Sequence, residues 1–167
     1  VFINKILLDI IFLQKSLRLI KMQKKHQQVQ SLLAAIQYIK NFFGKVIVIK
    51  YGGSAQTSPD LKEKFAQDIV LLSLLGIKPV IVHGGGALIT ELLTKLEIPS
   101  HFVEGHRVTC KESMRVVEMV LSGEINKNLT SLLNHHGAKA IGISGKDSSM
   151  INAVPKDGGR FGYTGEI

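Results

Sequence analysis

Apolar residues change their spacing near position 44. Before it they recur at helical intervals: Ile6, Ile10, Leu13, Leu17 and Ile20 form one stripe, and Val29, Leu32 or Leu33, Ile36 and Phe43 form another. The polar stretch from Lys21 to Gln28 between them reads as a kink or solvated turn. Residues 1–43 are therefore expected to be a helical extension, and residues 44–167 a domain of different construction. From Lys45 on, short β-branched runs alternate with amphipathic stretches. Val46 to Ile49 and Val80 to His83 read as strands of a parallel sheet buried on both faces. Ser58-Pro59-Asp60 opens a helix with Leu61, Phe65, Ile69, Leu72 and Leu75 inward and Gly76 at its end. A second helix starts near Gly86, with Leu88, Ile89, Leu92, Leu93 and Leu96 inward.

Further on, Thr109-Cys110-Lys111-Glu112 reads as a capping box before Val116, Val117, Val120 and Leu121. Gly123 is expected to bend or break that helix, which Ile125, Leu129, Leu132 and Leu133 then continue to Gly137. Ala138 to Ile143 predicts a third parallel strand. Met150 to Val154 and Arg160 to Ile167 predict a β-hairpin around Asp157-Gly158-Gly159. Right-handed βαβ units of this kind build an α/β fold, here a three-layer α/β/α sandwich with a mainly parallel sheet. Ligands then bind beyond the strand carboxyl ends.

The net charge of +8 qualifies this picture only locally. Residues 1–44 hold seven of the 21 Lys and Arg against a single acid, Asp9, so the domain that follows is nearly neutral. Nucleic-acid binding is thus not inferred from the basic pI. Asp9, Lys15 and Arg18 interrupt the first apolar stretch well short of the roughly 20 residues that span a bilayer, so no membrane is expected as a partner. The lone Cys110 excludes an internal disulfide, and no CxxC or HxxxH spacing suggests a metal site. Lysine and isoleucine richness fits an A+T-rich genome, such as a plastid's or that of some bacteria. Met22 offers an alternative start that would leave residues 1–21 as upstream sequence.

The chemistry concentrates where the first two strands end. Lys50-Tyr51-Gly52-Gly53-Ser54 is no Walker A loop, since its lysine precedes the glycines. Such a lysine could meet phosphate oxygens while Gly52 and Gly53 offer N–H groups, or could simply face solvent before a turn. His83-Gly84-Gly85-Gly86 fails as a dinucleotide fingerprint, because Ile89 stands at the third glycine position, and as an esterase loop, because no nucleophile elbow exists. A phosphate or carboxylate cradle at a helix start remains. His83 itself reads as an orienting or packing residue rather than a base. Arg107, two residues before a helix cap, could clamp a carboxylate bidentately or make a surface salt bridge. Lys146 and Asp147 read as turn residues.

These segments, with Gly105-His106-Arg107-Val108-Thr109 and Gly142-Ile143-Ser144-Gly145-Lys146-Asp147, occur in order over residues 45–167. Together they resemble the acetylglutamate kinases of the amino-acid kinase family, in the arginine-sensitive form that carries an N-terminal helix. The resemblance implies phosphorylation of the side-chain carboxylate of N-acetyl-L-glutamate by ATP with Mg2+, in arginine biosynthesis. Lys50 would be the catalytic residue, stabilising the transferring phosphoryl group. Lys50, Gly52 and Gly53 would hold ATP phosphates, and Gly85, Gly86 and Arg107 the acetylglutamate.

It also implies a homo-oligomer, dimer to hexamer, interlaced by the N-terminal helix, with arginine feedback and the PII signal protein as regulators. Location would be the plastid stroma or, alternatively, a bacterial cytoplasm. Family members continue past the position of Ile167 into an ATP-binding half, so the 167 residues alone are expected to be a fragment without turnover. Gln56 and Cys110 stand where the family often carries methionine and aspartate, departures expected to lack functional weight. Another carboxylate or carbamate kinase of the family, or a ligand-sensing oligomerisation module, would fit the same motifs.

Overall fold

The computed structural model describes residues 22–167, and the chain divides at Lys45 into two compact units. In the first, helix α1 runs over 22–40 and ends in a turn over 41–44. The expected kink or turn at residues 21–28 is not found from position 22 onward. Gln23, Lys24, Lys25, Gln27 and Gln28 are helix formers that lose little rotamer freedom there. The stripe from Ile6 to Ile20 lies outside the described residues. Val29, Leu32, Leu33, Ile36 and Phe43 are all exposed.

The second unit opens with strand β1 (Val46–Tyr51), short helix α2 (Ser54–Thr57), helix α3 (Pro59–Leu74) and strand β2 (Lys78–His83). Strands β1 and β2 pair in parallel, from Val46 opposite Lys78 to Tyr51 opposite His83. Alternation along β1 sends Ile47, Ile49 and Tyr51 inward, where α3 supplies Ala66 and Ile69 and a later helix supplies Leu129 and Leu133. The opposite face, with Val46, Val48, Val80 and Val82, is exposed, so the expectation of strands buried on both faces fails here. At the start of α3, Ser58 is extended and Pro59 sits at the first position. The serine hydroxyl makes no capping bond, and Asp60 supplies the acid of the first turn.

Helix α4 (Gly86–Lys95) leads into a hairpin absent from the sequence expectations: β3 (His101–Val103) against β4 (His106–Val108). Its two-residue turn, Glu104-Gly105, holds both residues at positive φ (52° and 79°), the backbone that right-twisted strands prefer. Helix α5 (Lys111–Glu118) is capped one residue later than expected. Cys110 Sγ and Ser113 Oγ serve each other's backbone N–H, and Thr109 Oγ1 turns back to Arg107 O at 3.1 Å.

Gly123 does not break the helix. A π-helical stretch (Met119–Ile125) carries the chain into α6 (Asn126–His135), absorbing the register change as a wide turn. A second core, Ile89, Leu93, Val116 and Val120, joins α4 to this long helical run.

Ala138–Ile143 is not a strand. Side chains of α6 take up its backbone instead: Asn134 binds both N–H and C=O of Ala140, Lys127 Nζ reaches Gly142 O at 2.9 Å, and Asn126 Nδ2 reaches Ile143 O at 3.1 Å. A ladder needs a neighbouring edge, and here side chains satisfy the same groups. Asn126 Oδ1 is buried without a partner among the described residues, and a Cβ on Gly142 would overlap it. Gly142→Ala should therefore destabilise the chain by about 1–3 kcal/mol, since that amide is held on Ile143 and cannot turn away. Urea unfolding should show a lower midpoint at unchanged slope; an unshifted midpoint would mean that the amide relocates freely.

The expected long hairpin shrinks to two rungs, β5 (Val154–Pro155) against β6 (Gly165–Glu166), because 156–159 form a 3₁₀ turn. Fully buried Phe161 and its neighbours instead dock on the end of β4. Phe161 O accepts from Thr109 N (3.1 Å), Tyr163 N donates to Thr109 O (2.8 Å), and Thr164 Oγ1 donates to Arg107 O (2.8 Å).

Candidate functional site

Parallel pairing in register makes β1 and β2 end together. Tyr51 and His83 are the last matched pair, one strand spacing (about 4.8 Å) apart, so Gly52-Gly53 and Gly84-Gly85-Gly86 leave from the same carboxyl end of the sheet. Each tip is fixed locally. Tyr51 stacks on Phe65 (ring centroids 4.4 Å apart) and donates its hydroxyl to Ala55 O at 2.9 Å. Burial raises the pKa of that phenol. Gly53 turns the chain at φ +59°, a conformation that a side chain would strain. A Cβ at Gly52, Gly84 or Gly86 would meet nothing within 4 Å, so packing within the described residues does not require glycine there. Gly85 differs, because a Cβ on it would meet Ile125 and Leu121 of the π-helical stretch.

One side chain links the tips. Gln56 Nε2 donates to Tyr51 O (3.1 Å) and to Gly84 O (2.9 Å). His83 Nδ1 lies 3.3 Å from Gly84 O. Lys50, next to last in β1, lies by strand alternation on the exposed face with Val46 and Val48, with no ion pair among the described residues.

Arg107 comes to the first turn of α4 from β4. Its Nη2 donates to Thr90 Oγ1 (2.8 Å) and Gly86 O (3.4 Å), its Nη1 to Ser100 Oγ, and its guanidinium lies 4.6 Å from the Phe102 ring centroid. The structure thus brings Arg107 to Gly86, and Gly52 and Gly53 beside Gly84 and Gly85. Of the two alternatives for Arg107, the surface salt bridge does not form among the described residues; its partners are neutral oxygens, which leave its positive charge uncancelled and its Nε–H without a partner among the described residues.

Three residues of this arrangement escape a sequence reading: Gln56, Thr90 and Ser100. Thr90 reads as the polar side of an amphipathic helix, and nothing in the spacing marks the other two. Asp147 accepts from Ser144 N within its own turn, whereas Lys146 pairs with Glu118 at the end of α5, 28 residues away, at 2.7 Å.

A pocket of about 330 Å³ opens next to the tips, lined by Tyr51, Gln56, Gly85, Leu88, Ile125 and Asn128 among others. Neither Lys50 nor Arg107 contributes to its wall, whose charged residues are Lys62, Glu91 and Glu124. Among the described residues no three His, Cys, Asp or Glu side chains cluster to hold a metal ion, and no helix is long and apolar enough to cross a membrane.

The sequence profile of the amino acid kinase family matches residues 45–167. Acetylglutamate kinase of Aliarcobacter butzleri is 80% identical over 146 residues, covering 87% of this chain and 48% of that protein. Acetylglutamate kinase of Wolinella succinogenes is 68% identical over 146 residues, covering 87% and 51%. The chain thus spans about half the length of these relatives. Among solved structures, N-acetylglutamate synthase from Neisseria gonorrhoeae, complexed with coenzyme A and N-acetyl-glutamate, superposes with TM-score 0.62 at 26% identity. It covers 82% of this chain and 31% of that one. Smu.665 from Streptococcus mutans superposes with TM-score 0.54 at 33% identity, covering 72% and 48%.

Proposed function

Because this chain belongs to the amino acid kinase family, we propose that it carries the acetylglutamate-binding part of an ATP-dependent acetylglutamate kinase of arginine biosynthesis. The observation that carries this reading is the in-register parallel pair, whose glycine tips open side by side next to a lysine with no ion pair among the described residues. Relatives named acetylglutamate kinase, and a solved relative holding N-acetyl-glutamate, support the substrate.

In the reaction proposed, a side-chain carboxylate oxygen of N-acetyl-L-glutamate attacks the γ-phosphorus of ATP. The new P–O bond forms as the bond to the bridging oxygen breaks, and ADP leaves with that electron pair. The nucleophile is already an anion, so no general base is needed. Positioning and positive charge do the work. Lys50 neutralises charge that builds on the phosphoryl oxygens. Gly52 and Gly53 offer N–H donors to ATP phosphates, and Gly85 and Gly86 offer theirs to acetylglutamate and the group in transit. Mg2+ enters as part of the nucleotide substrate.

Arg107 binds the α-carboxylate, its fork held in plane by Thr90, Ser100 and Phe102. Arg107→Lys should raise KM for acetylglutamate about 10–100-fold with a smaller change in kcat, since an ammonium cannot form the paired bonds. Steady-state kinetics at varied acetylglutamate would show this; an unchanged KM would place the carboxylate elsewhere.

The valine face of β1 and β2 supports a completed three-layer sandwich in which further structure covers it. The exposed stripe of α1 supports a role in homo-oligomer assembly. Arginine feedback and PII binding rest on family resemblance. The relatives compared are bacterial, which favours a bacterial cytoplasm over the plastid stroma first expected.

The deciding experiment grafts residues 45–167 into the A. butzleri kinase in place of their counterpart. ADP release would be measured with N-acetylglutamate, glutamate, aspartate and carbamate. Turnover is expected with N-acetylglutamate alone; a folded graft that prefers another acceptor, or none, would overturn the reading.

A further inference from the structure

We infer that Gln56 is a positioning residue that aims two backbone donors of the site. Its amide grips Tyr51 O and Gly84 O, residues that belong to different strand tips. A planar trans peptide points its C=O and the next residue's N–H in opposite directions. Fixing Tyr51 O therefore fixes the Gly52 N–H, and fixing Gly84 O fixes the Gly85 N–H. Both N–H groups belong to glycines, whose neighbouring torsions are the least restrained of any residue. One NH₂ group with two hydrogens thus sets two donors at once and keeps them in a constant relation. Neither a methionine nor a carboxylate at this position could do so, because neither has the two donors.

This inference rests on the kinase reading only for its catalytic consequence; the clamp itself is a property of the 167-residue chain. In that chain, Gln56→Met keeps length and removes both bonds. The ¹⁵N order parameters of Gly52 and Gly85 should fall from rigid-backbone values near 0.85 toward 0.6 or lower, while amides within β1 and β2 stay unchanged. Gln56→Glu, which sets a carboxylate against two carbonyls, should lower them at least as far and provides a second folded variant.

In the grafted kinase, kcat should fall about 10–100-fold for Gln56→Glu. A purely structural role would lower the melting temperature and leave kcat of the folded enzyme alone. Order parameters that do not move in either variant, or kcat that does not move in an active graft, would overturn the proposal. Mobile glycines in the variants together with an inactive unsubstituted graft would retain the clamp and reject the kinase reading.

Discussion

Lys50→Ala in the grafted kinase is expected to lower kcat by about 10²–10⁴-fold while leaving the fold and the KM for acetylglutamate nearly as they were. The argument is one of placement. Lys50 lies near the end of β1 on the exposed face, so removing it opens no cavity and breaks no ion pair among the described residues. What is lost is a positive charge beside glycine tips that can offer N–H groups to phosphate but carry no full charge themselves. Transfer between two anions concentrates negative charge on the migrating group, and a fixed ammonium compensates it most strongly at the transition state. Kinetics and a melting curve together check the claim. Unchanged kcat in a folded variant would remove Lys50 from the reaction, and a large loss of stability would reveal a structural role.

The second large effect is expected behind Arg107, where the Phe161 loop docks on the end of β4. Gly162 sits at φ +64° where it bridges Thr109, and a Cβ there would overlap the Thr109 carbonyl. That carbonyl cannot retreat easily, because Tyr163 N holds it at 2.8 Å, and Thr109 N is itself bound to Phe161 O. Left-handed backbone and a clash with backbone add, so Gly162→Ala should cost about 3 kcal/mol or more.

For a chain of this length such a loss lowers the melting temperature by about 6–12 °C. It should also raise KM for acetylglutamate in the graft, since Thr164 from the same loop holds the Arg107 carbonyl. A melting temperature equal to that of the unsubstituted chain would show that the loop can leave β4 without consequence.

The sheet pair and the first helices were legible because their signals are local. β-branched runs bounded by glycines mark β1 and β2, and Pro59 marks the start of α3. The glycine tips, Lys50 and Arg107 stood out for the same reason, each being an unusual residue type at a boundary.

Signals failed where partners lie far apart in sequence. Ala138–Ile143 looks like a strand from its own residues, yet Asn126, Lys127 and Asn134 hold its backbone in place of a neighbour. Gly123 looks like a bend or a break, and a π-helical turn carries the helix through it unbroken. Gln56 looked dispensable on resemblance, and its two bonds reach across 5 and 28 residues.

Hydrophobic spacing and the glycine-bounded strand ends therefore determined by themselves that this is an α/β protein with glycine turns closing its first two strands, since those features depend on each residue and its nearest neighbours. Only the tertiary structure decided that the two turns share one end of the sheet, that Gln56 joins them, and that Thr90, Ser100 and the Phe161 loop hold Arg107. Those relations depend on where distant backbone carbonyls and hydroxyls arrive after packing. No period or spacing along the chain encodes that arrival.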